Sequence, residues 1–173
     1  MKITFAAIGA VALAAAAPAS AQRPTSAYTP LNPDRCQVLH QEAEGASARW
    51  RCPGHAGISL FLNTGDDRFD LDAGIDNEEW ESLDPLNSIG PTVEWRLHGG
   101  RPVAIIYRLI PSPEAEMAPM LIVETIGRRG RRGCEIARVN AQRADANARA
   151  RTEADLRAGN FRCGIERAPQ IGR

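Results

Sequence analysis

Lysine is almost missing from this chain. Its only lysine is Lys2, so arginine supplies nearly all of the positive charge. The 21 basic residues balance 21 acidic residues, which gives a formal net charge of zero. Because general nucleic-acid binding needs a basic excess to displace counterions, this balance argues against nucleic acid as a partner. The absence of lysine after residue 2 also excludes a Ser-x-x-Lys catalytic pair.

The chain also lacks the short motifs of common catalytic and metal sites. Its three histidines, His40, His55 and His98, form neither a His-x-x-x-His pair nor a His-Glu-x-x-His helix. No Gly-x-Ser-x-Gly or Cys-x-x-Cys sequence occurs. We therefore predict no catalytic residue, no metal ligand and no cofactor. A hydrolase whose serine, histidine and acid are brought together only by the fold stays open as the alternative function.

The first 21 residues have the composition of a cleavable signal peptide. Lys2 precedes an apolar stretch over residues 3–17 and a small-residue site that ends at Ala21. A membrane anchor is the alternative, but alanine fills much of the stretch and contributes little to insertion. Because no cysteine lies at the junction, we do not expect lipid attachment there. We predict cleavage near Ala21, periplasmic or secreted localisation, and no stable membrane span in the mature protein.

All the cysteines lie beyond this segment, at Cys36, Cys52, Cys134 and Cys163. An even number of cysteines in an exported chain predicts disulfides, and four cysteines allow three pairings. Residues 36–40 and 48–52 have the pattern of strands on either side of a polar turn, so Cys36 would face Cys52 across a hairpin. We therefore predict the pairs Cys36–Cys52 and Cys134–Cys163, the second closing the last helical segment onto the sheet.

Short apolar runs separated by turn residues predict a sheet-rich domain. Alternation over residues 68–72 and 92–97 indicates strands with one buried and one solvated face. Residues 103–110 are apolar on both faces for much of their length, so we place them in the centre of the sheet. Residues 144–157 are rich in helix formers and stop at Gly159. We predict an α+β fold with about seven to eight short, mainly antiparallel strands, one C-terminal helix and two disulfides.

The mature chain has about the length of one domain. We expect residues 22–34, which hold three prolines, to form an extended N-terminal lead-in. Residues 35–166 would form a single globular domain, and residues 167–173 a C-terminal tail. The helix would present an apolar face of alanines and Leu156. The core would draw on residues 103–110 and on four aromatic residues, Trp50, Phe61, Phe69 and Trp95.

Residues 66–84 are strongly acidic and suggest a calcium-binding site. In an EF-hand loop that began at Asp70, the sixth position would be Ile75, but the EF-hand pattern requires glycine there. The motif is therefore absent. A looser calcium site stays open, and a solvated sheet face and loop is the simpler interpretation. The acidic residues are Asp66, Asp67, Asp70, Asp72, Asp76, Glu78, Glu79, Glu81 and Asp84.

The sharpest local feature is a group of four arginines among three glycines over residues 127–133. Guanidinium groups bind phosphate and carboxylate groups through paired hydrogen bonds. At the tip of a hairpin, the group would form an anion-binding hook for an envelope component or a periplasmic protein partner. Alternatively, the arginines form ion pairs with the acidic segment of the same molecule, or the segment is only a charged turn. The arginines are Arg128, Arg129, Arg131 and Arg132.

Several features together resemble small exported proteins of unknown function from high-GC Gram-negative bacteria. They are the alanine-rich signal, the paired cysteines, and the strand at residues 92–96 that leads to Gly99-Gly100-Arg101-Pro102. The resemblance transfers no functional residue. From the residues themselves we expect a binding or interaction module of the periplasm, of which an inhibitor of a cell-wall hydrolase is one specific version.

Overall fold

The structure, a computed structural model, describes residues 23–43, 47–77 and 85–172. Within these ranges it has eleven strands in two sheets, one α-helix and two disulfides. The predicted α+β class with mainly antiparallel strands is therefore confirmed, although the strands outnumber the predicted seven to eight. The predicted signal peptide at residues 1–21 lies outside the described residues.

The elements follow one another along the chain as short strands, with the helix near the C-terminal end. The helix, α1, spans Ala146–Arg157. In chain order the strands are β1 (Thr25–Pro30), β2 (Gln37–Gln41), β3 (Ser47–Cys52), β4 (Leu60–Gly65), β5 (Arg68–Ala73), β6 (Asn87–Ile89), β7 (Thr92–His98), β8 (Arg101–Pro111), β9 (Met120–Thr125), β10 (Glu135–Asn140) and β11 (Gln170–Ile171).

The strands form a larger and a smaller sheet. The larger sheet has the order β1-β7-β8-β9-β10-β11, and the short β6 pairs with the end of β8. The smaller sheet has the order β2-β3-β4-β5. β8 lies inside the larger sheet, as the apolar residues on both of its faces predicted. The turn between β7 and β8 is formed by Gly99 and Gly100, whose φ angles of 56° and 77° suit glycine.

Both disulfides have the predicted pairing. Cys36–Cys52 joins the residue before β2 to the last residue of β3, and the two Cα atoms lie 4.2 Å apart. Cys134–Cys163 joins the residue before β10 to the segment that follows α1. The first bond closes a hairpin, and the second fastens the end of the helical segment to the larger sheet.

Three of the strands escaped prediction: β1, β6 and β11. β1 lies within the expected lead-in and pairs with β7 over its whole length, from Thr25 opposite Leu97 to Pro30 opposite Thr92. β11 lies within the expected tail and pairs in parallel with β10. The sheet thus extends beyond residues 35–166 at both ends. These segments lack alternating apolar residues because an edge strand is held mainly by backbone hydrogen bonds to its neighbour, and an edge position also tolerates proline.

One apolar core joins residues of the two sheets. Leu60, Leu62 and Leu71 of the smaller sheet belong to the same buried cluster as Trp95 and Tyr107 of the larger one. Trp50 and Phe69 pack against this cluster, as predicted. Phe61 does not belong to it, so its predicted place in the core is wrong. Leu60 and Leu62 take the inner face of β4, and the residue between them therefore faces the other way.

A second core lies on the other face of the larger sheet, under α1. Four alanines spaced four residues apart pack against β8, β9 and β10; they are Ala146, Ala150, Ala154 and Ala158. The molecule is thus layered as smaller sheet, larger sheet and helix. The predicted alanine face is confirmed, but Leu156 is 67% exposed and does not belong to it. Leu156 is two residues from Ala154, about 200° around the helix, and so points away from the sheet.

The polar face of β7 is buried under the helix rather than solvated. Arg96 donates from Nε and Nη2 to the two carboxylate oxygens of Asp155, at 3.0 and 2.6 Å. Glu94 accepts from Nε and Nη2 of Arg151, at 2.6 and 3.2 Å. The alternation in the sequence identified the strand correctly. The prediction that this face is solvated was wrong, because α1 covers it. The helix supplies an oppositely charged side chain for each buried charge of β7.

The same contacts shift the pKa of the Asp155 carboxyl group. Burial alone would raise this pKa, but the hydrogen bonds from Arg96 and His98 outweigh burial, so it lies below its ordinary value. The charged carboxylate is therefore the form that the folded state favours.

Among residues 23–43, 47–77 and 85–172, no helix has the length and apolar composition of a transmembrane span.

The alanine face predicts a strong dependence on side-chain size. Ala150 is fully buried between helix and sheet, so Ala150→Leu should lower the free energy of unfolding by about 1–3 kcal/mol through overpacking. Ala148 lies on the exposed side of the same helix, and Ala148→Leu should change it by less than about 0.5 kcal/mol. Urea unfolding of both variants measures the difference. Equal losses would contradict the packing of α1.

The lowered pKa of Asp155 predicts an acid-dependent stability. A carboxyl group whose pKa is lower in the folded state stabilises the fold above its unfolded pKa, about 3.9, and loses this effect as the pH falls through the folded pKa. Asp155→Asn removes the charge at nearly constant shape. The gap in unfolding free energy between wild type and variant should therefore be largest near neutral pH and should shrink below about pH 4. Urea titrations from neutral to acidic pH test this, and a constant gap would refute it.

Candidate anion-binding site

The arginine-rich segment forms a tight turn between β9 and β10. The backbone N–H groups of Arg128 and Arg131 each donate to the other residue's carbonyl oxygen, both at 2.8 Å. Arg129 and Gly130 occupy the turn, and Gly130 has a φ of 79°. The predicted hairpin connection is thus present, and all four arginines of the segment are exposed.

The base of this turn is fixed against the end of β5. The Gly127 N–H donates to the carbonyl oxygen of Ala73 at 2.8 Å. A Cβ on the next residue, Gly74, would lie 2.2 Å from the Gly127 carbonyl oxygen, and Gly74 has a φ of 86°. Only glycine can occupy position 74 at this distance from the Gly127 carbonyl group. The arginine turn of the larger sheet is therefore brought close to the edge strand of the smaller sheet.

Arg131 and Arg132 point to one side of the turn, toward the end of α1. Arg131 Nη2 donates to the carbonyl oxygens of Ala158 and Phe161, at 3.5 and 3.3 Å. Ala158 is the C-cap residue of α1, whose carbonyl group a helix end leaves without a partner, so Arg131 has a capping role. Arg132 and Arg162 line the same opening, of about 600 Å³. Arg162 is already near a carboxylate, with its Nε 3.7 Å from Glu166.

Arg128 and Arg129 lie on the other side, where they line an opening together with two arginines from distant parts of the chain. Arg51 comes from β3 and Arg101 from the start of β8. We call this opening of about 560 Å³ the arginine pocket. No aspartate or glutamate of the described residues lines it. Its other lining residues are Gly57, Ile58, Ser59, Gly74, Ile75, Pro102, Ile126 and Gly127.

Two of the four guanidinium groups are held in place by hydrogen bonds. Arg51 donates from Nε to the Ser59 hydroxyl at 2.8 Å, and Arg128 donates from Nη2 to the Pro102 carbonyl oxygen at 3.1 Å. Both keep N–H groups available for a ligand, because a guanidinium carries five. Within the described part of the chain, none of the four arginines of the pocket forms an ion pair. Four positive charges therefore share one opening without a compensating carboxylate from the described residues.

The sequence pointed to half of this pocket. Arg128 and Arg129 were predicted from the arginine turn, whereas Arg51 and Arg101 were missed. Arg101 directly follows the Gly-Gly turn, which marked a strand start but no ligand site. Arg51 occupies one position in an alternating strand. No local pattern connects either residue with the turn, since only the packing of the two sheets brings them together.

Part of the acidic segment is buried, contrary to the solvated face expected for it. Asp70 and Asp72 are 3% and 1% exposed. The loop after β5 contacts this face, and the Asn77 N–H donates to Asp72 Oδ2 at 3.3 Å. Asp76 forms an ion pair with Arg49 at 2.9 Å. These carboxylates thus stabilise the smaller sheet and the loop that follows it. None of them lines the arginine pocket.

The looser calcium site gains no support from the described residues. Among them, no group of three or more histidine, cysteine, aspartate or glutamate side chains is placed to hold a metal ion. The remaining acidic residues of the segment, Glu78, Glu79, Glu81 and Asp84, lie outside the described residues.

The three histidines have different surroundings. His98 Nε2 lies 3.0 Å from Asp155, but the nearby Ser26 hydroxyl donates to Glu94 and accepts from Arg96 instead. The described residues contain no hydrogen bond between a serine and a histidine. The ring of His55 packs near Trp95, and His40 lies on the exposed strand β2. The described residues thus offer no serine–histidine–acid relay for the hydrolase alternative.

Comparisons of this chain with protein-family models, with curated proteins and with solved structures gave no match.

The close approach at Gly74 predicts a large penalty for any side chain there. Gly74→Ala should lower the free energy of unfolding by at least about 2 kcal/mol, because it adds both backbone strain and a clash with the Gly127 carbonyl group. Gly164 has a similar φ of 78° but open space around it, so Gly164→Ala should cost only about 1 kcal/mol. Urea unfolding compares the two. Equal penalties would show that the contact does not hold the turn.

Proposed function

We propose that this protein is an exported binding module that captures ligands with phosphate or carboxylate groups in the arginine pocket. The observation that carries the proposal is the convergence of Arg51, Arg101, Arg128 and Arg129 on one opening that no described carboxylate lines. Guanidinium groups match the geometry of these anions and attract them more strongly where no internal partner competes.

Two features support export. The first 21 residues have the composition of a signal peptide. The chain also contains two disulfides, which persist mainly in oxidising compartments such as the periplasm and the cell exterior. A ligand in that setting would be an anionic component of the cell envelope or an acidic region of a protein partner.

The chemistry of the pocket favours binding over catalysis. Arginine stays protonated at physiological pH, so it neither accepts a proton nor acts as a nucleophile. Among the described lining residues there is no histidine, no carboxylate and no thiol. Ser59 is the one hydroxyl among them, and it accepts a hydrogen bond from Arg51. The arrangement can hold and orient an anion, but it offers no group to activate a nucleophile.

The proposal predicts a loss of anion affinity when two of the arginines are replaced. Arg101 and Arg129 make no side-chain hydrogen bond within the described part of the chain, so the double variant R101S/R129S should fold normally. It should bind pyrophosphate or citrate at least about tenfold more weakly than wild type, since it loses two charge-assisted contacts. Isothermal titration of the disulfide-bonded mature protein at low salt measures this.

The matched control removes the same charge elsewhere. Arg35 and Arg167 are exposed and lie outside the pocket, so R35S/R167S should keep the affinity of wild type within about twofold. An equal loss in both variants would reduce the effect to net charge, and no loss in R101S/R129S would refute the proposed function.

A further inference from the structure

The arginine pocket combines its positive charge with an apolar surface. From this combination we infer that its ligand is an amphiphilic diphosphate, in which two linked phosphoryl groups carry an apolar substituent. The inference rests on the proposed function and names the ligand class for the same site.

The charge of the pocket sets the number of anionic groups. Four guanidinium groups carry four formal positive charges, and no described carboxylate lines the opening. A phosphate monoester carries about 1.5 to 2 negative charges at neutral pH. One such group leaves about half of the positive charge unmatched, and a carboxylate leaves more. Two linked phosphoryl groups match most of it.

Two of the four arginines are fixed by hydrogen bonds within the described residues, and the other two are not. Arg51 is fixed by Ser59, and Arg128 is fixed by Pro102 on a different segment of the wall. Each of the two held guanidinium groups can present its remaining N–H donors to one phosphoryl group. Arg101 and Arg129 are not held by hydrogen bonds within the described residues, so they are available to close on the ligand.

The apolar residues of the pocket indicate what the diphosphate is attached to. Ile58, Ile75, Ile126 and Pro102 line the same opening. Ile75 is 38% exposed, so a large apolar side chain faces solvent beside four charges. An opening of about 560 Å³ also has the size typical of sites for small organic ligands, and it exceeds what two phosphoryl groups fill. An apolar substituent would occupy the remaining space and cover the isoleucines.

A long polyanion that bridges both sides of the turn is less consistent with the contacts. On the far side, Arg131 is bonded to carbonyl groups at the end of α1, and Arg162 lies near Glu166. The donors of that opening are thus partly used within the molecule. On the other side, no described residue forms an ion pair with Arg101 or Arg129.

The test compares four probes by isothermal titration with the mature, disulfide-bonded protein. They are inorganic phosphate, pyrophosphate, geranyl monophosphate and geranyl diphosphate. We expect pyrophosphate to bind at least tenfold more tightly than phosphate, and geranyl diphosphate at least fivefold more tightly than both pyrophosphate and geranyl monophosphate. Each methylene that the isoleucines cover should raise the affinity about fourfold.

A pair of isoleucine variants separates the apolar contribution from the charge. Ile75→Asn should lower the affinity for geranyl diphosphate by a larger factor than the affinity for pyrophosphate, because only the geranyl chain would cover this isoleucine. Ile165 is also exposed but lies outside the pocket, so Ile165→Asn should leave the affinity for every probe unchanged.

A soluble ester and a membrane lipid share this chemistry, and a vesicle assay distinguishes them. The protein is mixed with phosphatidylcholine vesicles that contain or lack a long-chain polyprenyl diphosphate, and the fraction that floats with the vesicles is measured. Retention on the diphosphate vesicles, lost in R101S/R129S, assigns the site to a lipid headgroup. Tight binding of geranyl diphosphate without vesicle retention assigns it to a soluble ester.

The outcomes keep the two proposals apart. If R101S/R129S loses pyrophosphate affinity but the geranyl chain adds nothing, or phosphate binds as well as pyrophosphate, the ligand class is wrong and the anion-binding function stands. If R101S/R129S binds every probe as wild type does, both are wrong.

Discussion

The larger sheet is covered on both of its faces, and the rest of the structure depends on this constraint. The smaller sheet covers one face with leucines, and α1 covers the other with alanines. A strand buried on both sides leaves no solvated place for the polar residues of an alternating sequence. Glu94 and Arg96 are therefore buried, and an isolated buried charge would be strongly unfavourable. Arg151 and Asp155 of the helix supply the opposite charges. The helix thus adds both alanine packing and charge compensation.

The same arrangement creates the arginine pocket. Because the two sheets pack together, the end of β3 and the start of β8 are brought near the turn between β9 and β10. The hydrogen bond from the Gly127 N–H to the Ala73 carbonyl oxygen fixes this turn against the smaller sheet, and Gly74 permits the close approach. The pocket is therefore built from elements that the fold already holds in place. Arg51 and Arg128 are also held by hydrogen bonds, and side chains that are already held lose less entropy when an anion binds.

The four arginines of the turn have different roles although they are neighbours in sequence. Arg131 caps the end of the helix, while Arg128 and Arg129 line the arginine pocket on the opposite side. In a tight turn, successive side chains leave in different directions, so a cluster in sequence is divided in space. An electrostatic interpretation of the whole group as one hook is thus too simple. Arg128 and Arg129 line the arginine pocket together with Arg51 and Arg101, which lie far away along the chain.

The sequence by itself determined the features that depend on local chemistry. Hairpin spacing paired Cys36 with Cys52, apolar residues on both faces placed β8 inside the sheet, and helix formers marked α1. Tertiary structure alone decided which polar residues are buried and which arginines meet. Asp70 and Glu94 occupy positions that alternation assigns to solvent, until another layer covers them. Arg51 and the arginine turn line one pocket because two sheets pack face to face, and no local sequence pattern records the proximity of residues so distant along the chain.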